Sequence, residues 1–133
     1  MNSEKLKLLE EYLKNTDIPI LLENVSTDVF NDYVVLPSNL DIKELNGHYE
    51  ETSFNPPEWY DKLFNMKRNK LLVIDKIDNI SKEEQAKFIE ILKYKKVSTF
   101  ELPKETKIII TADVINEKTI NEEIYSLVAH IKE

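Results

Sequence analysis

Leu71-Leu72-Val73-Ile74-Asp75-Lys76-Ile77-Asp78 is the stretch from which the fold can be read. Its first four residues are apolar without interruption, a pattern that suits a short strand buried on both faces. The strand delivers Asp75 to its carboxyl end, and the next residue is Lys76. A charged amine donates hydrogen bonds and accepts none. Position 76 therefore cannot take a proton from a bound water while it is charged.

Other short apolar runs flank this one. Ile18 to Leu22, Tyr33 to Leu36 and Lys107 to Thr111 read as further buried strands, and Val128 to Ile131 as a last short one. Val97 to Leu102 alternates and suits a strand or β-ribbon. Helical patterns lie between. Ser3 to Lys14 places Leu6, Leu9 and Leu13 on one face. Asp41 to Asn46 stops at Gly47, which suits a left-handed C-cap. A helix after Asn55-Pro56-Pro57, capped by Asn55, carries Trp59, Leu63 and Met66 toward a core. Ser81-Lys82-Glu83-Glu84 is a capping box opening a helix to about Tyr94, and Glu117 to Leu127 is a last helix. Residues 23–32 leave room for about one helical turn. Strands alternating with helices predict an α/β fold, a parallel sheet flanked by helices. No repeat or linker divides residues 1–133, which read as a single domain.

Composition removes several classes of function. Charged residues make up 32% and hydrophobic ones 41%, a soluble, globular balance. There is no cysteine, so disulfides and thiolate chemistry are excluded. No apolar run approaches the roughly 20 residues of a membrane span. Met1 to Leu13 is charged throughout, unlike a signal peptide, so a cytoplasmic location is expected. The net charge of -7 argues against broad nucleic-acid binding, which depends on Lys and Arg neutralising phosphates. Lys67-Arg68-Asn69-Lys70 and Lys93-Tyr94-Lys95-Lys96 read as solvated turns. Gly47 is the only glycine, and a phosphate-cradling loop needs several. His48 and His130 are not paired by sequence, and Asp75 and Asp78 are the residues that could take Mg²⁺. Lys76 between them opposes it, and no metal site is expected.

In this order the elements resemble a known family. From about Tyr33 to Ile131 the chain resembles the ATPase core of AAA+ proteins, nearest to MoxR-type P-loop ATPases. Leu71 to Ile80 is similar to their Walker B strand and its continuation, and Leu45-Asn46-Gly47-His48-Tyr49-Glu50 to their "l-G-x-y-e" segment. Ser81 to Leu92 resembles the helix that follows, Ile108 to Asp113 the sensor-1 strand, and Ser126-Leu127 the segment that carries the arginine finger. The resemblance implies a truncated P-loop NTPase-like (AAA+-like) core, without the helical lid.

The departures from that pattern are systematic. Pro19 to Glu23 resembles the strand that leads into Walker A, but Asn24 to Phe30 has neither Gly nor Lys. Asp75 and Lys76 form a degenerate Walker B, with Lys76 where the family has its water-orienting glutamate. Thr111 and Asp113 form a degenerate sensor 1, and Leu127 occupies the arginine-finger position. Phosphoryl transfer rests on positioning and charge stabilisation, which these positions supply in the family. The resemblance therefore implies a catalytically inactive, cofactor-free module, not an enzyme. It would act through protein–protein contacts, regulating or scaffolding a true AAA+ ATPase or a clamp-loader-like DNA-replication assembly. Two alternatives are a non-hydrolysing nucleotide or Mg²⁺ binder using Asp75, and an acidic decoy from a mobile element. Lys76 and Asp113, changed to opposite charges at the ends of neighbouring strands, are expected either to form an ion pair closing the old site or to stand as two independently solvated charges.

Overall fold

In a computed structural model, residues 3–50 and 53–132 are described. In chain order the elements are α1 (Ser3–Asn15), β1 (Ile20–Glu23), β2 (Val34–Pro37), α2 (Ile42–Asn46), β3 (His48–Glu50), β4 (Ser53–Asn55) and α3 (Glu58–Phe64). There follow β5 (Leu71–Asp75), α4 (Lys82–Gln85), α5 (Ile89–Tyr94), β6 (Lys96–Val97), β7 (Phe100–Glu101), β8 (Lys107–Ala112), α6 (Glu122–Leu127) and β9 (Ala129–Ile131). Five strands form one parallel sheet in the order β2-β5-β8-β1-β9. The two short hairpins, β3-β4 and β6-β7, stand apart from it.

Side chains alternate across the sheet, so each strand feeds two cores. Leu21, Leu72, Ile74, Ile108 and Ile110 face one side, where Phe88, Ile91, Leu63 and Ile124 cover them from the helices. Ile20, Leu22, Val73, Ile109 and Ile131 face the other, and there Leu9 of α1 is the buried helical contact. The register aligns Val73 with Ile109 and Ile109 with Ile20, giving a continuous apolar row under α1. Residues 24–33 return across this same face with only a 3₁₀ turn at Thr27–Val29, and Val25, Phe30 and Tyr33 add to its cover. A helix that precedes β1 thus shields a face that no helix after β1 reaches.

The sequence reading holds for the five sheet strands, the helices at Ser3 and Asp41, the position of the helix end at Gly47 and the β-ribbon, and differs elsewhere: Gly47 pairs its positive φ with an extended ψ of -175°, not the left-handed helical conformation. Asn55 is not the cap of α3; it ends β4, and Pro57 takes the N-cap position without a side-chain bond. The segment after Ser81 does not run as one helix but passes from α4 through a 3₁₀ turn at Ala86–Phe88 into α5. Residues 117–121 are not helical, because Asn121 caps α6 by accepting from Glu123 N and Ile124 N. The β3-β4 hairpin was not foreseen: its short polar segments lack the apolar alternation that marks a strand.

With a single glycine in the chain, other residues take the left-handed turns. Among the described residues, Asn24, Asn69, Lys76, Lys95, Ser98 and Glu105 have positive φ. Gly47, at φ 82°, ends α2 where a Cβ would strike the carbonyl oxygen of Asn55. Gly47→Ala is therefore expected to destabilise by about 2 kcal/mol. Lys95, at φ 53° in the C-cap of α5, offers the reverse: Lys95→Gly should stabilise by up to about 1 kcal/mol. Urea midpoints moving in opposite directions at constant slope would establish both, and equal shifts would refute the account.

The link from α1 into β1 is held by Lys107, whose Nζ donates to Thr16 O at 3.0 Å and to Asp17 Oδ1 at 2.8 Å. The hydrogen bond and charge of Lys107, and then the charge of Lys95, hold the Asp17 carboxyl below its ordinary value. A carboxylate lowered on folding contributes stability above its unfolded pKa, and that contribution is lost as pH falls through the folded value. Lys107→Met is expected to return the Asp17 titration, followed by carboxyl-carbon NMR, toward the usual carboxylate range. An unchanged midpoint would contradict the assignment.

Candidate functional site

Strand order directs attention to the carboxyl edge of the sheet. The chain leaves β1 toward β2 on one side, whereas it leaves the adjacent β8 toward β9 on the other. In open parallel sheets ligands settle in the crevice made by such a reversal. Here the protein's own polar groups bond to one another across the ends of β1 and β8. Asn24 N donates to Ala112 O at 2.8 Å, joining the ends of β1 and β8, and Asn24 takes a left-handed φ of 56° to do so. Lys5, reaching from α1, donates from Nζ to Glu23 O at 2.6 Å and is itself buried. The Glu23 carboxylate accepts from Ile115 N at 2.8 Å, tying β1 to the turn beyond β8.

Asp75, Lys76 and Thr111 are brought together as the sequence suggests, on adjacent strands. The Thr111 hydroxyl, almost wholly buried, donates to Asp75 Oδ1 at 2.7 Å and accepts from Lys76 N at 2.8 Å. This relay uses the backbone of Lys76, not its amine. Lys76 itself is exposed, in the left-handed conformation at φ 53°. Its turn lets Ile77 drop into the core. A recess of about 270 Å³ lies beside Asp75 and Lys76, bounded by Ser38, Asn39 and Asn79.

The ion pair is not formed. Among the described residues, neither Lys76 nor Asp113 takes part in a salt bridge. The negative partner at this corner is Asp78, and it binds backbone instead. Its two carboxylate oxygens accept from Asp113 N at 3.1 and 3.0 Å, and Oδ2 also accepts from Val114 N at 3.1 Å. The Asp113 side chain is exposed, and it is the Asp113 amide that bonds Asp78. Leu127 stands at the end of α6. It is partly buried and packs against the larger core.

Several structural residues escaped the sequence reading. Gln85 is fully buried and satisfied on both ends: Nε2 donates to Ile80 O and Thr119 O, and Oε1 accepts from Asn121 N. Glu23 and Lys5 also carry no local signal, since each acts on a residue far along the chain. His130 contacts the Tyr125 carbonyl oxygen through Nε2 at 2.9 Å and its ring lies 4.0 Å from that of Tyr125. Among the described residues no group of three or more His, Asp or Glu side chains is placed to hold a metal ion. None of the described helices is long and apolar enough to cross a membrane.

No protein-family model and no curated protein matches the sequence. Solved structures do. A candidate ATPase of Cytophaga hutchinsonii superposes with a TM-score of 0.61 at 13% identity, over 97% of this chain and 46% of that one. NtrX of Brucella abortus, solved in complex with ADP, superposes with a TM-score of 0.53 at 11% identity, over 99% of this chain and 36% of that one. The chain thus spans less than half the length of either structure. At these identities the likeness is one of fold, and the fold it establishes is a P-loop NTPase-like, AAA+-like core: a five-stranded parallel sheet flanked by helices.

Proposed function

We propose that this chain is a catalytically inactive AAA+-like module that works through contacts with other proteins. The observation that carries this reading is the employment of the carboxylates at the carboxyl edge. Glu23, Asp75 and Asp78 each accept hydrogen bonds from the protein itself. One oxygen of Asp75 accepts from the buried Thr111 hydroxyl, which ties it to the neighbouring strand. At the ends of β1 and β8, Lys5 Nζ bonds the Glu23 carbonyl and the Glu23 carboxylate bonds Ile115 N. Lys76 stands where a water-orienting acceptor would be needed, and the sequence has too few glycines for a phosphate loop. Partners of the kind the family resemblance implies, a true AAA+ ATPase or a DNA-replication component, remain part of this proposal.

Phosphate release with Mg²⁺ and ATP is expected to equal the buffer rate, and calorimetry should find nucleotide affinity no tighter than about millimolar. Turnover that survives purification and disappears in Asp75→Asn would overturn the reading. Saturable micromolar binding without turnover would replace it with a non-hydrolysing nucleotide binder.

The carboxylates can be tested separately as structural groups. Asp78→Ala leaves the amides of Asp113 and Val114 without their acceptor and should destabilise by about 1–3 kcal/mol. Asp113→Ala and Lys76→Ala, at exposed side chains, should stay within about 0.5 kcal/mol of the parent. Chemical denaturation measures all three, and an Asp78→Ala variant as stable as the parent would remove the structural role.

A further inference from the structure

The edge of the sheet formed by β2 borders a groove of about 960 Å³. One wall is the strand itself, residues 32–37, and the opposite wall comes from α2 and α3. β2 pairs only with β5. Among the described residues, no hydrogen bond reaches the outer side of residues 33–36; Pro37 O alone is taken, by Leu40 N. Proteins usually guard such an edge with a charged residue, a bulge or a covering loop. Here the outward residue in mid-strand is Val35, 42% exposed. Met66, half-buried, adds apolar surface within the groove, and Trp59 beneath it belongs to the core.

The charge of the groove is unlike that of the molecule. Four basic and three acidic side chains line it, in a chain of net charge -7. Lys62 is paired with Glu58 at 3.3 Å. Among the described residues, Lys43, Lys67 and Arg68 make no ion pair and no side-chain hydrogen bond. Lys70 of the same basic run is occupied differently, since its Nζ donates to the carbonyls of Leu63, Phe64 and Met66 beyond the end of α3. Asp32 and Glu44 also border the groove, at the start of β2 and on α2.

We infer that β2 is a docking edge for an extended acidic segment of a partner protein, which adds to the sheet as a sixth strand. Its backbone pairs with residues 33–36, its apolar side chains lie beside Val35 on one face of the sheet, and its carboxylates, on the other face, meet Lys43, Lys67 and Arg68. A polypeptide fits this groove better than nucleic acid does. A strand edge presents N–H and C=O groups in alternation, which another backbone matches and a line of phosphates does not. This inference deepens the proposed role in protein contacts, and it stands apart from the nucleotide measurements above.

The probe is a fluorescently labelled peptide alternating Val and Glu, titrated onto the full chain. Saturable, salt-sensitive binding is expected, with slowed amide exchange at residues 33–36. The same peptide N-methylated at alternate residues keeps its charge but loses backbone donors, and should bind about tenfold or more weakly. Val35→Glu and the pair Lys67→Glu/Arg68→Glu should weaken binding to a similar degree while the thermal midpoint is unchanged. No binding, equal binding of the N-methylated or a Val/Lys peptide, or amide protection elsewhere would overturn the inference. So would a single-stranded oligonucleotide that occupied the groove more tightly than the acidic peptide. Because these readouts use no nucleotide, their failure would leave the question of ATPase activity where it was, and the reverse also holds.

Discussion

Two central strands, β5 and β8, are apolar on both faces, and a parallel sheet built around them must be covered on both sides. Each fully buried Ile, Leu or Val contributes about 1.5–3 kcal/mol only if something excludes water from it. One face is covered in the ordinary way, by helices that follow β2, β5 and β8 in sequence. The other would lie open, because the chain between β1 and β2 makes a single 3₁₀ turn. Leu9 of α1 meets that need. Once α1 lies there, Lys5 is carried to the end of β1, where its buried amine finds the carbonyl of Glu23. The packing of one face thereby sets the chemistry at the sheet's edge.

That edge obeys a second constraint. Strand ends leave backbone N–H groups that are costly to bury without an acceptor. In this molecule the carboxylates meet that demand: Asp78 takes two amides and Glu23 takes one. Asp75 is satisfied by the Thr111 hydroxyl, which in turn holds the amide of Lys76 in its left-handed turn. Left-handed backbone at a residue with a side chain costs about 1–2 kcal/mol. The Thr111 bond and the burial of Ile77 offset that cost at Lys76. The same residues that suggest chemistry in sequence therefore serve as fasteners between strands.

The hairpins extend this economy of cover. Phe54 of β4 stacks on Phe100 of β7 at 5.4 Å, and Phe100 lies 5.7 Å from Tyr60 of α3. Trp59 Nε1 donates to Leu45 O, joining α3 to α2. Rings spaced this way join pieces too short to be stable alone, since a two-stranded hairpin is marginal in water. They also fix α2 and α3 beside β2, which shapes the groove along the free edge of the sheet.

Much of this was legible in sequence, for reasons of period and punctuation. The apolar runs at Ile20, Val34, Leu71, Lys107 and Ala129 mark the strands of the sheet, and their alternation with helical patterns determines a parallel α/β arrangement. Ser81 and Gly47 mark helix ends because a cap needs a particular side chain or a positive φ. The nearness of Asp75 to Thr111 follows from neighbouring strands. The pairing of charges did not follow. From sequence Lys76 and Asp113 are complementary, yet Asp78 claims the Asp113 amide and the two side chains stay in solvent. The partners of Glu23, Lys5 and Gln85 lie between 5 and 92 residues away, and all but the nearest are unreadable from local pattern. The sequence by itself determined the five strands of the sheet and where most helices lie, because burial and capping leave periodic local marks. Only the tertiary structure decided which polar groups meet at the sheet's edge and that α1 covers the open face, because those contacts depend on where distant segments are brought to rest.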